Sequence, residues 1–523
     1  MSSTTPSTQV VIIGAGIGGL SMGIALKRKL KLHEFKIFEL SGDVGGTWHH
    51  NTYPGCASDT DTHWYSLSTN KNPFWKKTQV SQIELKEYWK GLAEKYSLPL
   101  ILNREVVSVD WDNSKQLYKV SSKDSQTQAV FEDSARVVIS AIGVLNVPSF
   151  PRELEGIRDF KGSAFHSAQW DHSIDLKNKR VALASSQLIP IISEDPSTEV
   201  VNFCRSSHWF LDIPVMAPIS ATMQMIFAHI PFVMRFYRMW IMFRNELLYL
   251  FLSVRQNWLR ALITKQFEGC IKNNAPLEYH SQLIPKRWVG CKRLIIGTGY
   301  LSALHRPNFD LNYDGISKIT DDGLITKKGK KFTFDVIIFA TGFVTDKYPL
   351  NVRGIAGETV QEYYDRKGGP EAYLGVSLPG FPNFFMILGP NTVTSHGSVL
   401  FTEEVQAEYL IQLIRPIIQG HVTSVEVTPE ANEVFNTAIQ QRLEGSMWSS
   451  CTSWYRLGHQ GKIVTQWPGY LTEYWWRLRR PIWRDYHMTG RNGWKPNQDA
   501  SIWIVILGLG GLVLTSINWA ANK

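Results

Sequence analysis

Cysteine is scarce in this 523-residue chain: Cys56, Cys204, Cys270, Cys291 and Cys451 are widely scattered, with no CxxC pair. An odd number at such spacing excludes a disulfide framework and a thiolate zinc site, and it fits a reducing, cytosol-facing environment. Charge is also thin, at 19% of residues against 44% hydrophobic, which is a globular balance and not a disordered one. The net charge of +9 arises without a dense run of Lys or Arg. Nucleic acid is therefore not an expected partner, whereas a membrane surface or phosphate-bearing cofactors are. The polar start MSSTTPSTQ passes directly into an apolar strand, so no signal peptide is expected. Internal repeats and low-complexity tracts are missing too. Aromatics are abundant, with 19 Trp and 25 Phe, and they suit a core, a planar cofactor or lipid. At this length two or three domains are expected.

Residues Gln9 to Ile13 read as a buried parallel strand, with a glycine-rich turn and a helix from about Leu20 to Leu30. Phe35 to Glu39 reads as the next strand, and strand–helix alternation continues through Val137–Ile142 and Arg180–Leu183. The fold class is α/β with crossover helices. Gly14, Gly16 and Gly19 form GxGxxG between the first strand and helix. The first glycine makes the tight turn, the second admits a pyrophosphate, and the third lets helix and strand pack. Glu39 ends the next strand, where an acid takes the adenosine ribose hydroxyls. Dinucleotide binding follows.

Two apolar stretches stand apart. Ile213 to Leu252 is aromatic and interrupted by Pro214, Pro218 and Pro231, with Arg235, Arg238, Arg244 and Glu246 in its rear half. It reads as a helical insertion packed on the protein, at about 213–265; a segment dipping into lipid is the alternative. Ala500 to Ala521 has no charge and no proline, is long enough to cross a hydrocarbon core, and carries Trp503 and Trp519 near its ends. It is expected to be a single-pass C-terminal anchor. The basic stretch Arg477 to Lys495 before it places the catalytic part in the cytosol, with the endoplasmic reticulum the expected membrane.

Downstream of the glycine turn stand Gly45-Gly46-Thr47-Trp48, then Asn51, Tyr53-Pro54-Gly55 and Asp59. Here the chain resembles the Baeyer–Villiger monooxygenases, which write GGTW…N.YPG…D at this place. Their fingerprint FxGxxxHxxxW, followed by Pro or Asp, is matched by Phe160, Gly162, His166, Trp170 and Asp171. Further matches are Gly290-Cys291-Lys292-Arg293, Pro379 to Asn383, Gly389-Pro390-Asn391, Ser453-Trp454-Tyr455 and Trp467-Pro468-Gly469. The segment Asp335 to Phe343 (DVIIFATGF) resembles the family's return strand into the FAD domain, and should therefore join the sheet that contains Val10–Ile13.

The resemblance implies two dinucleotide-binding (Rossmann-like) domains, the second inserted in the first. An FAD-binding part is expected over 1–150, an NADPH-type domain over 151–339, the rest of the FAD domain over 340–497 and the anchor over 498–523. It implies that Gly46, Thr47, Trp48, Asn51, Tyr53 and Asp59 close over the flavin. It also implies an FAD-dependent monooxygenase that uses O2 to convert a ketone in a lipophilic small molecule into an ester or lactone. Arg293 is the fixed cation beside the activated oxygen, because a guanidinium stays charged and does not protonate its neighbour. Asp59 pairs with it and orients it, while His166 couples the domains.

One motif departs from the family. Where a second GxGxxG should follow the strand Lys179 to Leu183, the chain reads Ala184-Ser185-Ser186-Gln187-Leu188-Ile189-Pro190. Ser185 and Gln187 replace the leading glycines, and Pro190 removes an N–H donor. The ATG segment is Ala141-Ile142-Gly143. Arg205 remains where the family grips the 2′-phosphate of NADPH, and Lys292 remains with it. NADPH use is thus open. Besides a monooxygenase in specialised metabolism, the sequence allows a flavoenzyme freed from NADPH, acting as an oxidase or a redox-neutral cyclase or isomerase. An FAD-stabilised membrane scaffold is the third reading, and retention of Asp59 and Arg293 speaks against it.

Overall fold

Strand Thr8–Ile13 (TQVVII) is buried along nearly its whole length, as an apolar run without alternation must be at the centre of a parallel sheet. It pairs in parallel with Phe35–Phe38 on one side and with Val130–Ser140 on the other. These coordinates are a computed structural model. They describe residues 6–490, apart from 152, 212–215, 254–256, 298 and 459, together with Trp494.

The first sheet has eight strands. From one edge the order is Asn351–Arg353, Arg104–Asp112, Leu117–Asp124, Val130–Ser140, Thr8–Ile13, Phe35–Phe38 and Leu100–Ile101. Phe384–Met386 pairs with the end of Val130–Ser140. The second sheet has five parallel strands, in the order Phe309–Asn312, Glu199–Phe203, Arg180–Leu183, Val336–Phe339 and Ser163–His166. The chain thus leaves the first sheet after Ser140, builds the second, and returns at Asn351. This is the expected α/β dinucleotide-binding architecture.

The strand Val336–Phe339 corrects an expectation. It does not join the sheet of Val10–Ile13 but lies inside the second sheet, between Arg180–Leu183 and Ser163–His166. All four residues are buried, and such a run fits the middle of either parallel sheet equally well. Its sequence cannot name its neighbours. Return to the first sheet falls to the next strands instead.

The helical insertion comprises Ala221–His229, Pro231–Leu252 and Asn257–Asn274. Pro231 marks the break between the first two, since one helix ends at His229 and Pro231 opens the next, in a first turn where a missing N–H costs nothing. Among the described residues no helix is long and apolar enough to cross a membrane. The apolar stretch 500–521 lies outside the described residues.

A second correction concerns cysteine. Cys291 and Cys451, 160 residues apart, are joined as a disulfide with their Cα atoms 6.0 Å apart. The pairing depends on the 447–455 loop returning beside the Arg293 segment, which spacing alone does not reveal.

Candidate active site

Helix Ile17–Ala25 follows the first strand directly, and its three preceding or early glycines have different jobs. Gly14 adopts φ +102°, and a Cβ there would lie 2.6 Å from the Ala141 carbonyl oxygen. A Cβ on Gly19 would strike the carbonyl oxygen of Gly14. The fold itself needs both. A Cβ on Gly16 would rest 3.5 Å from the Gly46 Cα, an ordinary contact, so the space beside Gly16 serves something other than protein. It suits a pyrophosphate approaching the N–H groups of the helix start.

Gly46, at φ +55°, brings the next loop against this turn and starts the short helix Thr47–His50. Trp48 is buried and donates its Nε1 to the Tyr65 hydroxyl at 3.2 Å. Asn51 is buried and donates Nδ2 to the Thr47 carbonyl at 2.9 Å. Glu39, buried, accepts from the amides of Ala15 at 2.7 Å and Ser41 at 2.9 Å. Its carboxylate is thereby fixed beside the turn, where ribose hydroxyls would meet it.

A second set of groups lies against this region. Thr394 Oγ1, both ring nitrogens of His396, Ser398 Oγ, Thr402 Oγ1 and Glu403 Oε2 are buried without a hydrogen-bond partner. Glu403 faces helix Ile17–Ala25, since a Cβ on Gly18 would lie 3.2 Å from its Oε1. Burial, and then the charge of Glu404, pushes the Glu403 carboxyl up to about 8, while burial pushes the His396 imidazole down to about 3. Orphaned buried polar atoms are rare in native proteins. Beside an open glycine turn and a ribose acid, they fit a large polar ligand such as FAD. Reading the sequence did not single out these residues; the polar run Thr392–Ser398 ahead of an apolar helix was the available signal.

Asp59 and Arg293, far apart in sequence, form a two-pronged ion pair, with Nε 3.0 Å from Oδ2 and Nη2 donating to the same oxygen. Each side chain is nearly half exposed. Burial raises the Asp59 carboxyl, but the Arg293 charge and hydrogen bond outweigh it and hold it below its usual range. Asp59 in turn, against burial, holds the guanidinium above its own. Tyr65 and Tyr455 stand close enough to feel this pair. Tyr65 was not foreseen.

The second nucleotide turn is built differently. After strand Arg180–Leu183 comes a helix of only four residues, Ile189–Ile192, with Pro190 in its first turn. Gln187 fills the loop: it accepts from the Tyr53 hydroxyl at 2.7 Å and donates Nε2 to the Ala57 carbonyl at 3.1 Å. Tyr53, expected to close over the flavin, is therefore held by the second sheet's loop. Arg205, Arg287 and Lys292 nevertheless gather near one another, and Lys292 donates to Ser206 Oγ at 2.5 Å. Burial, then Arg287 and Arg205, holds the Lys292 amine below its usual value. Among the described residues none of the three cations has a carboxylate partner, which leaves them suited to a phosphate. His166 is buried, accepting on Nδ1 from the Ala168 amide at 3.1 Å and packed edge-on against Phe150 and Phe343. It sits within the core between segments.

Two nucleotide-type sheets, one with an open flavin turn and a cation fixed nearby, define a flavin-dependent oxidoreductase. A family model described as an NAD(P)-binding Rossmann-like domain matches residues 12–78. A Baeyer–Villiger monooxygenase of Pseudomonas aeruginosa is 34% identical over 90% of this chain and 89% of its own length. The FAD-binding monooxygenase ktnD of Aspergillus niger is 31% identical over 92% of this chain and 82% of its own. The solved cyclohexanone monooxygenase from Rhodococcus sp. Phi1, bound to NADP+, superposes with a TM-score of 0.80 at 24% identity, covering 93% of this chain and all of that one. The chain belongs to the Baeyer–Villiger monooxygenases, FAD-binding oxidoreductases.

Proposed function

We propose that this protein inserts one oxygen of O2 beside the carbonyl of a lipophilic small molecule, giving an ester or lactone, in specialised metabolism. Bound FAD supplies the redox chemistry that activates oxygen. Gly16 and Glu39 take its adenosine diphosphate half in the turn that Gly14 and Gly19 shape, and Gly46, Thr47, Trp48 and Asn51 close the turn over it. The observation that carries the reading is the Asp59–Arg293 pair, in which two motifs far apart in sequence meet as one group. Arg293 holds a permanent positive charge beside the reacting oxygen, and Asp59 fixes its orientation. Arg293→Ala should leave FAD binding unchanged and lower product formation by about 10²–10³-fold, the usual cost of losing one electrostatic stabiliser. Product formed at the wild-type rate would overturn the assignment.

NADPH is the proposed reductant, gripped through Arg205 and Lys292 at its 2′-phosphate with a weakened hold on the pyrophosphate. Gln187 in the loop also favours a second reading, a flavoenzyme that turns over without nicotinamide. Anaerobic mixing of holoprotein with NADPH separates them, because bleaching of the flavin occurs only in the first. The stretch 498–523 is proposed as a single-pass anchor in the endoplasmic reticulum, with the catalytic part in the cytosol. Its support is the uncharged length of Ala500 to Ala521 and the basic residues before it.

A further inference from the structure

Helix Pro231–Leu252 is apolar on two faces. One is turned inward, with Met234, Arg238, Ile241, Tyr249 and Leu252 buried and Arg238 donating to the Ser66 carbonyl at 2.8 Å. The other is open. Phe232, Phe236, Met239, Trp240, Phe243 and Leu250 follow one another at helical spacing, each between 45% and 67% exposed. Six large apolar side chains so exposed on one face form a contiguous patch of the kind that marks an interaction surface. A surface helix would keep polar residues there. Ile230 in the link and Met225 on the preceding helix, also about half exposed, extend the patch.

Charge at the rim says what covers it. Arg235 is exposed on the same helix, and Lys71 lies near it, its amine held down by burial and then by Arg235 and Arg238. Lys76 and Lys77 are exposed on a segment bonded to the start of the insertion, the Lys76 carbonyl accepting from the Ile219 amide at 2.8 Å. Among the described residues the long helix has one ion pair, Arg244 with Asp61, more than two turns beyond Arg235, and Lys71, Lys76, Lys77 and Arg235 have none. A second copy packed by symmetry would bring these cations against each other. The uncharged stretch 500–521 offers no acid to meet them. An aromatic stripe rimmed by unpaired cations matches the interface of an anionic bilayer, apolar at the acyl boundary and negative at the headgroups.

We infer that the open face of helix Pro231–Leu252 docks on an anionic phospholipid surface, separately from any anchor in the tail. The same helix borders the candidate site. Arg244 pairs with Asp61, two positions from Asp59, and the Tyr249 ring stacks on His396 at 4.5 Å. A lipophilic substrate dissolved in the bilayer is thus met close to Arg293; this delivery rests on the reading of the site proposed above, whereas the docking does not.

The test uses the full chain with a photoreactive benzophenone amino acid in place of Phe236. It is floated with phosphatidylcholine–phosphatidylserine vesicles, irradiated and analysed by mass. A phospholipid adduct is expected at 236, and none when the same group replaces Val434, 71% exposed on helix Pro429–Glu444. Floating protein without the adduct would overturn the docking while leaving the anchor reading intact. Adducts to a second copy, or to residues 498–523, would overturn it in favour of those occupants. As a second measurement, vesicles should slow hydrogen exchange over 231–243 in the wild type, and no longer do so after Phe236→Glu with Trp240→Glu. Unchanged exchange in the wild type would also sink the inference, whereas ketone oxidation unaffected by Arg293→Ala would sink only the site reading.

Discussion

Gly16 is the one glycine of the first turn whose Cβ would meet nothing closer than 3.5 Å in the protein itself. Gly16→Ala should therefore strip the yellow cofactor while leaving the melting transition of the FAD-free protein nearly unchanged. Each charge-assisted hydrogen bond lost to the pyrophosphate, about 1.5–3 kcal/mol, weakens binding roughly tenfold or more. Gly19→Ala should instead reduce soluble yield, because its Cβ collides with the Gly14 carbonyl. Absorbance of the flavin against the melting curve separates the two. Glu403 gives a second residue-level test. Its folded value, about 8, lies above an ordinary value near 4.5. The stability this neutral acid contributes is full below about 4.5 and is lost as pH rises through about 8. Glu403→Gln should flatten the fall of stability with pH across that window by up to one proton's slope, about 1.4 kcal/mol per pH unit. Denaturant melts at several pH values would show it. That Glu39 would stand beside the Gly14–Gly19 turn was legible in motif spacing, and that Asp59 would meet Arg293 in the family resemblance; their roles remain those proposed above. Glu403, His396 and Tyr65 were not legible, since their part depends on which elements pack together.

At the scale of elements, the loop 184–190 was readable in kind but not in consequence. The missing glycines announce a poor phosphate turn; that Gln187 would span to Tyr53 and Ala57 depends on how the two sheets face each other. Ser185→Gly with Gln187→Gly should restore an open turn, and the NADPH concentration for half-maximal flavin reduction should fall about tenfold, as for one regained charge-assisted bond. Stopped-flow absorbance under argon measures this directly, and no change would show that the loop does not limit NADPH binding. The strand Val336–Phe339 teaches the converse. Its buried apolar character was plain, and its sheet was not, because period and composition are the same for the centre of either sheet.

For the whole molecule, attachment and assembly follow from how the chain is distributed. The two proposed membrane contacts, an anchor in the tail and a docked helix, would release differently. Removing residues from 498 onward should turn detergent-requiring attachment into a weaker attachment that high salt reduces, with FAD still bound; sedimentation after a salt wash reads the difference. The α/β class and the glycine turn were clear from local pattern, whereas the Cys291–Cys451 link joins loops that only the folded chain brings within reach. The interrupted first sheet also sets a schedule for synthesis. Val130–Ser140 leaves the ribosome long before Phe384–Met386, its parallel partner. At about 5–20 residues per second that gap lasts on the order of ten to fifty seconds. The second sheet is complete at Phe339 and can fold during this wait, while the flavin turn stays without Thr394 to Glu403. Cofactor capture is then expected late in synthesis, and a chain truncated before Thr394 should fold its inserted domain but not keep FAD.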